Sequence, residues 1–142
     1  MATYNIAALS MGSNKPGSVI MFAILDFNMY NAAANDIFQL IKLKNGWIVR
    51  DSWYKVLSVG TSGTDWELGV KDATTGIVDI TDPTSTTAWA QGAYKAGAEF
   101  VPAEDEYIQC KVTAAAETIG KVAVAVEIFI GIDEAEYDSV QN

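Results

Sequence analysis

The stretch Val122-Ala-Val-Ala-Val-Glu-Ile-Phe-Ile130 decides the fold of this chain. Its β-branched residues stand at every second position, at 122, 124, 126, 128 and 130. Side chains of a strand point alternately to the two faces of a sheet, so these five side chains share one face. The stretch therefore predicts a β-strand that turns an apolar face to a hydrophobic core.

Similar short runs follow one another along the chain, each closed by Gly, Asn, Asp or Pro. We predict about eight strands and no helix of ordinary length, which is typical of an all-β antiparallel sandwich or barrel. The strand predictions cover residues 18–27, 36–43, 47–59, 64–71, 77–80, 106–114 and 121–132, with a weaker one at 4–9. Nothing in the pattern indicates a second domain, so residues 1–142 are predicted to form a single domain. An N-terminal arm (1–17) and an acidic C-terminal tail (133–142) flank its core.

Several local irregularities are predicted within this pattern. Asn45-Gly46 stands between two β-rich runs and predicts a hairpin, because both residues tolerate a positive φ. The imperfect alternation over 47–59 predicts a bulge or an edge strand, and Gly69 predicts a bulge or a close backbone approach. Residues 84–97 are predicted to form a loop with one helical turn.

The charge balance excludes some partners. The chain has 18 acidic and 9 basic residues, and its formal net charge at pH 7 is −9. The basic residues are scattered singly, so we expect no binding to nucleic acid or to anionic membranes. We also expect no secretory signal and no membrane span. Charged residues make up only 19% of the chain, which indicates either a surface covered by a partner or one rich in Thr, Ser and Asn.

The residue inventory offers little for catalysis. The chain has no histidine, which removes the commonest general base and metal ligand. Its only cysteine, Cys110, allows neither an internal disulfide nor an ordinary zinc site, and it stands in phase with Ile108 and Val112, which predicts a buried thiol. Gly60-Thr-Ser-Gly63 is glycine-rich, but no helix follows it to bind a phosphate. We therefore predict no catalytic, cofactor-binding or metal-binding residue.

Acidic and aromatic residues are weaker candidates for a site. Asp26 and Asp51 lie within β-rich runs and could pair as in a glycosidase, although an outward position or a turn cap also explains them. Glu104-Asp105-Glu106 could offer oxygens to calcium, but three adjacent acids cannot all face one ion on a strand, which favours a solvated turn. Trp53 and Trp66 are in phase with apolar residues and are predicted to be core.

A family resemblance rests on a series of strand and glycine segments. These are Asp36-Ile-Phe-Gln-Leu-Ile-Lys-Leu-Lys-Asn-Gly46, Ile48-Val-Arg-Asp-Ser-Trp53, Val59-Gly60, Trp66-Glu-Leu-Gly-Val70, Ala96-Gly97, Tyr107-Ile-Gln-Cys-Lys-Val112 and Gly120-Lys-Val-Ala-Val-Ala-Val126. In this order they resemble the head decoration, or cement, proteins of tailed bacteriophages. The resemblance covers roughly residues 18–132 and contains no catalytic signature.

The resemblance implies a jelly-roll-like sandwich and a structural role in a virion. It implies a protein made in the host cytoplasm and seated on the outer capsid surface, where it bridges major capsid subunits and stabilises the head. The implied assembly is a homo-oligomer, with a trimer favoured, and no cofactor is required. The arm 1–17 and the tail 133–142 lie outside the resemblance and are expected to contact neighbouring subunits.

Two other functions remain open from the sequence. A receptor- or glycan-binding module of a phage fibre or tail would stack sugar rings on exposed tryptophans, for which Trp47 and Trp89 stand near turns. A carboxylate-based hydrolase would need two acids about 5–10 Å apart in an open cleft.

Overall fold

The computed structural model describes residues 1–12, 17–84 and 88–130, which form two five-stranded sheets around one apolar core. The predicted all-β sandwich is confirmed, with ten strands among the described residues where about eight were predicted for the chain. The strands are β1 (Thr3–Asn5), β2 (Leu9–Gly12), β3 (Ser18–Asp26), β4 (Ile37–Leu43), β5 (Ile48–Ser58), β6 (Asp65–Val70), β7 (Ala73–Thr81), β8 (Ala90–Gln91), β9 (Glu106–Thr113) and β10 (Lys121–Phe129). A short 3-10 helix spans Phe27–Met29.

The strand order is that of a jelly roll. Sheet 1 has the order β1-β4-β9-β6-β7, and sheet 2 has the order β2-β3-β10-β5-β8. Without the two N-terminal strands, the other eight described strands change sheet at every connection except the β6-β7 hairpin, and the last of them, β10, pairs with the first, β3. This connectivity confirms the jelly-roll-like sandwich that the family resemblance implies.

Strand β10 lies at the centre of sheet 2, between β3 and β5. Val122, Val124, Val126 and Ile128 are buried as predicted, each at most 1% exposed. Burying one side chain of this size stabilises a folded protein by about 1.5–3 kcal/mol, so β10 is a major contributor to the core. Ile130 lies beyond the end of the strand and is 38% exposed.

The hairpin predicted at Asn45-Gly46 is wrong. Gly46 has the positive φ of a turn, 87°, but β4 before it belongs to sheet 1 and β5 after it belongs to sheet 2. The two strands therefore leave the turn toward opposite sides of the core. An Asn-Gly pair determines a local reversal of the chain, whereas strand pairing depends on which apolar faces are buried together.

Irregular pairing occurs at both places where the sequence predicts it, and also between Gln39 and Ile41 of β4, where it does not. Two register shifts interrupt the pairing of β5 with β10, near Val122 and near Ile128, and another interrupts β6 and β7 at Gly69. A Cβ at Gly69 would lie 2.2 Å from the carbonyl oxygen of Ala73, so only glycine fits at this bulge. Strand β5 is bulged but is not an edge strand, because it pairs with both β10 and β8.

The bulges in β5 change which tryptophan belongs to the core. Trp66 is fully buried as predicted. Trp53 is only half-buried and lies opposite Ala125 on the outward side of sheet 2, so its predicted core position is wrong. The register shifts bring Ser52 and Tyr54 to the inward side instead, where the Ser52 hydroxyl donates to the carbonyl oxygen of Tyr94.

Three further boundaries differ from the sequence prediction. Strand β7 has nine residues, because the turn before it is tighter than predicted. Residues 88–97 contain the short strand β8 and no helical turn, and residues 85–87 of that predicted loop lie outside the described residues. In the predicted arm, β1 pairs parallel with β4 and β2 pairs antiparallel with β3. Residues 13–16 of the arm and the whole tail 133–142 lie outside the described residues.

A fully buried carboxylate, that of Glu117, fixes the loops at one end of the sandwich. It accepts hydrogen bonds from the backbone N–H and the hydroxyl of Thr61, the latter at 2.7 Å. It also accepts from the Thr64 hydroxyl at 2.9 Å, the Trp66 indole N–H at 3.0 Å and the backbone N–H of Ile119 at 3.2 Å. A buried charge is tolerated when hydrogen bonds replace its hydration, and here they join two loops to the largest core side chain.

We predict that Glu117→Ala destabilises the protein by about 3 kcal/mol or more, because it leaves several buried donors without an acceptor. Urea unfolding followed by tryptophan fluorescence measures this loss. The control is Glu99→Ala, which removes an exposed carboxylate and is expected to change the midpoint far less. Equal midpoints for the two variants would contradict the role assigned to Glu117.

The stability contributed by Glu117 depends on pH. Burial alone would raise its pKa, but hydrogen bonds from Thr61, Thr64 and Ile119 outweigh burial and hold the pKa below its usual range. The unfolded carboxyl titrates near its ordinary pKa of about 4.3, so the contribution is complete above this pH and is lost as the pH falls through the lowered pKa of the folded state.

We therefore predict that the loss of unfolding free energy caused by Glu117→Ala, measured by urea unfolding, becomes smaller between pH 7 and pH 3. A loss that stays constant over this range would contradict the prediction.

Candidate functional site

The outward faces of the two sheets differ in polarity. The outward face of sheet 1 is polar and carries charges of both signs. Its side chains include Lys42, Asp65, Glu67, Asp79, Tyr107, Lys111 and Thr113. Burial and the neighbouring carboxylates of Asp65 and Glu67 raise the pKa of Asp79. Such a face is suited to water.

The outward face of sheet 2 is largely apolar over β2, β3 and β10, and β5 and β8 add Trp53 and the exposed polar Gln91. Cross-strand partners project to the same side of a sheet, so the pairing register places these residues together. We call this set the apolar face: Leu9, Ile20, Phe22, Ile24, Trp53, Trp89, Ala123 and Ala125. Leu9, Ile24 and Trp89 are 59%, 48% and 48% exposed, which is high for large apolar side chains that meet on one surface.

A shallow groove runs over the apolar face. Its lining side chains, Ile20, Phe22, Trp89 and Ala125, are all apolar, and its volume is about 310 Å³. Strand β10 forms the floor, because the outward residues in its middle, Ala123 and Ala125, have short side chains. Strand β3 supplies one wall, and Trp89, just before β8, supplies the other.

Charged side chains lie at the two ends of the apolar face. At one end, Lys121 lies on β10, and Lys55 lies on the neighbouring strand β5, opposite Ala123. We call this the lysine end. At the other end, Glu127 pairs directly with Asp51; we call this the carboxylate end. Lys121 and Glu127 are six residue steps apart along β10, roughly 20 Å, and Lys55 and Asp51 are four steps apart along β5, roughly 14 Å.

Two further charges lie near these ends. The Asp26 carboxylate is 4.0 Å from the Lys121 ammonium at the lysine end. At the carboxylate end, the Arg50 guanidinium lies over the Phe129 ring, 4.3 Å from its centroid. With these neighbours counted, the lysine end has two positive charges and one negative, and the carboxylate end has two negative charges and one positive. The net charge of the apolar face therefore changes sign from the lysine end to the carboxylate end.

The sequence prediction missed the apolar face, although a signal for it was present. Residues 19–25 of β3 are apolar without interruption, so both faces of this strand are apolar. Continuous apolar runs are typical of strands covered on both sides. The sequence prediction placed a strand over 18–27 and assigned no role to its two faces.

The structure does not bring the two candidate acids Asp26 and Asp51 together. Asp26 lies at the lysine end of sheet 2, and hydrogen bonds from Asn28, helped by Lys121, lower its pKa. Asp51 lies at the carboxylate end and accepts from the backbone N–H of Ser52. A separation of roughly 20 Å is far beyond the carboxylate spacings used in glycoside hydrolysis.

The three acids Glu104, Asp105 and Glu106 have separate surroundings. Glu104 pairs with Lys71, and Asp105 accepts from the backbone N–H of Asn45. Burial raises the pKa of Glu106, and the nearby carboxylates of Asp72 and Glu104 add to this effect. Within the described ranges, no group of three or more His, Cys, Asp or Glu side chains could hold a metal ion.

Three backbone N–H groups of the loop Gly60-Thr-Ser-Gly63 donate hydrogen bonds to oxygen atoms of the protein itself. The Gly60 N–H donates to the carbonyl oxygen of Pro83, and the Gly63 N–H donates to the carboxylate of Asp82. The Thr61 N–H donates to Glu117. These groups stabilise the protein's own loops, so they are not available to a phosphate.

The two tryptophans considered for sugar stacking do not form one site. Trp89 is exposed, as predicted, whereas Trp47 is half-buried against the core, with the Lys44 ammonium 5.9 Å from its ring centroid. Ala90 pairs with Tyr54, seven residues beyond Trp47 along β5, so the two rings are roughly 20 Å apart along the strand. The described part of the chain also contains no helix long and apolar enough to cross a membrane.

Comparison with known proteins shows that this chain is similar in fold to chains of solved phage capsid structures. No protein-family model matches the chain, and no curated protein sequence matches it. The chain is similar to one in the acidic stable capsid structure of Helicobacter pylori bacteriophage KHP30, with 16% identity and a TM-score of 0.61. It is also similar to a chain of the cyanophage Pam1 capsid asymmetric unit, with 18% identity and a TM-score of 0.60. Each likeness covers 87% of this chain and 93% of the other.

The chain shares its fold with chains of two phage capsids. Because almost the whole of each chain is covered, the likeness extends over the complete sandwich rather than over a few strands. At these identities it concerns the fold, and it does not transfer any residue's role.

The thiol of Cys110 is predicted to be inert in the folded protein. Cys110 is fully buried on β9, as predicted from the sequence, and burial raises its pKa far above the usual range. We expect a disulfide-exchange reagent such as DTNB to label no thiol in buffer and one thiol per chain in 6 M guanidinium. Rapid stoichiometric labelling of the native protein would contradict the position of Cys110 in the core.

Proposed function

We propose that the chain is a structural protein of a phage virion, a decoration or cement protein bound to the outer surface of the capsid. The observation that carries this proposal is the likeness of the complete fold to chains of two phage capsid structures. The family resemblance of the sequence segments points independently in the same direction. The proposed task is to bridge neighbouring major capsid subunits and so to stabilise the head.

The construction of the domain suits a mechanical task. Two sheets share one core, and the buried Glu117 carboxylate fixes the loops at one end. We expect such a domain to resist deformation under force. One outward face is polar and the other is apolar, as expected for a protein that has one side in water and another against a protein partner. We propose a homo-oligomer, with a trimer favoured, whose other partner is the major capsid protein.

The two termini have different parts in the proposal. The N-terminal strands β1 and β2 belong to the sheets, and Ala2 donates from its backbone N–H to the buried Asp36 carboxylate at 2.7 Å. Their removal would damage the fold itself. The acidic tail 133–142 is therefore the segment whose contribution to capsid contact can be tested separately.

A glycan-binding module is the alternative, and the exposed ring of Trp89 favours it. Sugar recognition also needs polar side chains for the hydroxyl groups. The side chains that line the groove beside Trp89 are all apolar. This surface therefore suits a protein partner better than a sugar.

The proposal predicts saturable binding to capsids. Capsids assembled without this protein are mixed with the purified full chain and sedimented, and the bound protein is quantified. We expect binding that saturates at a fixed number of copies per capsid and that raises the temperature at which the capsids break open. Deletion of 133–142 is expected to weaken this binding, while the urea midpoint of the isolated protein stays unchanged.

Two results would count against the proposal. Absence of saturable binding to these capsids would contradict the decoration role. Specific binding to a glycan array, lost on Trp89→Ala, would support the fibre or tail module instead.

A further inference from the structure

We infer that a second copy of this chain covers the apolar face, with the lysine end of one copy against the carboxylate end of the other. This inference deepens the proposed function, because it names the surface that joins the copies of the proposed homo-oligomer. It rests on that oligomer and does not require capsid binding.

The first argument is the size of the face. Strands spaced about 4.8 Å apart with about 3.4 Å per residue give a footprint on the order of 450 Å² for a patch four strands wide and seven residues long. The largest apolar patches of soluble monomers are about 300–600 Å², and they often serve an interaction. The seven residues run from Lys121 to Glu127, so this area already includes the charged ends. A standard interface buries about 800 Å² on each partner, and the face supplies roughly half of that area.

The second argument is the order of charges along the face. Lys55 and Lys121 lie at one end, Asp51 and Glu127 lie at the other, and alanines and aromatic rings lie between them. A copy laid on this face in the reversed direction brings each lysine end against a carboxylate end. The face is therefore complementary to itself, and opposite charges at the rim of an apolar contact determine its orientation.

The charge order also restricts the symmetry. A three-fold axis running along the strands would bring three carboxylate ends together, which like-charge repulsion opposes. A two-fold axis across the strands brings opposite charges together, because both copies then use the same face. Such a contact joins copies in pairs, so the favoured trimer needs a second contact on another surface.

The test measures self-association of the isolated full chain by sedimentation equilibrium. We expect a mass of more than one copy for the wild type, and a Kd raised by roughly thirtyfold or more by Ile24→Lys, as for a central interface residue. The matched control is Ile119→Lys, which adds the same charge at a side chain of similar exposure, 45% against 48%, in the loop between β9 and β10. It is expected to leave the Kd unchanged.

A charge exchange tests the orientation. Lys55→Glu and Asp51→Lys should each weaken self-association, because each places like charges across the contact. The double variant, which carries both changes, should recover most of the loss, because the pairing is restored with the signs exchanged. This series stays informative if Ile24→Lys does not fold.

Each remaining outcome overturns part of the inference. A wild-type chain that stays monomeric at millimolar concentration excludes the second copy as the occupant. An effect of Ile119→Lys equal to that of Ile24→Lys places the contact elsewhere, and failure of the double exchange to recover excludes the stated orientation. None of these results bears on capsid sedimentation, so failure of this inference is distinguishable from failure of the proposed function.

Discussion

The strict alternation of side chains along β10 is the constraint on which the rest of the structure depends. Its inward residues, from Val122 to Ile128, are buried at the centre of sheet 2 and hold the two sheets together. Its outward residues, Ala123 and Ala125, are small and leave a groove between β3 and Trp89. The same alternation places Lys121 and Glu127 at opposite ends of that groove. One strand thus determines the core, the shape of the outer face and its charge order.

The fold could be predicted from the sequence because its signals are local and periodic. Alternation located nearly every long strand, and glycine at position 69 marked a real bulge. Strand pairing could not be predicted in the same way, as Asn45-Gly46 illustrates, because it is decided by contacts between distant segments. The outward position of Trp53 could not be predicted from alternation alone. The bulges of β5 change which side chains point outward, and they depend on the pairing with β10.

The candidate surface was less predictable than the fold, and for a physical reason. A search for chemistry looks for polar residues, and here these residues are occupied by structural contacts: Glu117 stabilises loops, and Asp26 caps the 3-10 helix. The surface that remains is apolar, so it is visible in the sequence only as a strand without polar residues, in 19–25. The position of Glu117 in the core could not be anticipated either, because both hydroxyl groups that donate to it, those of Thr61 and Thr64, lie more than fifty residues away along the chain.

The proposed function and the proposed contact between copies both depend on the difference between the polar outward face of sheet 1 and the apolar outward face of sheet 2. Cryo-electron microscopy of capsids that carry this protein is the most direct measurement of the account. It predicts sandwich density on the outer surface, with the apolar faces of neighbouring copies turned to one another and the polar face of sheet 1 in solvent. Density in which the apolar face lies open to solvent, or capsids without this density at saturating protein, would contradict the account.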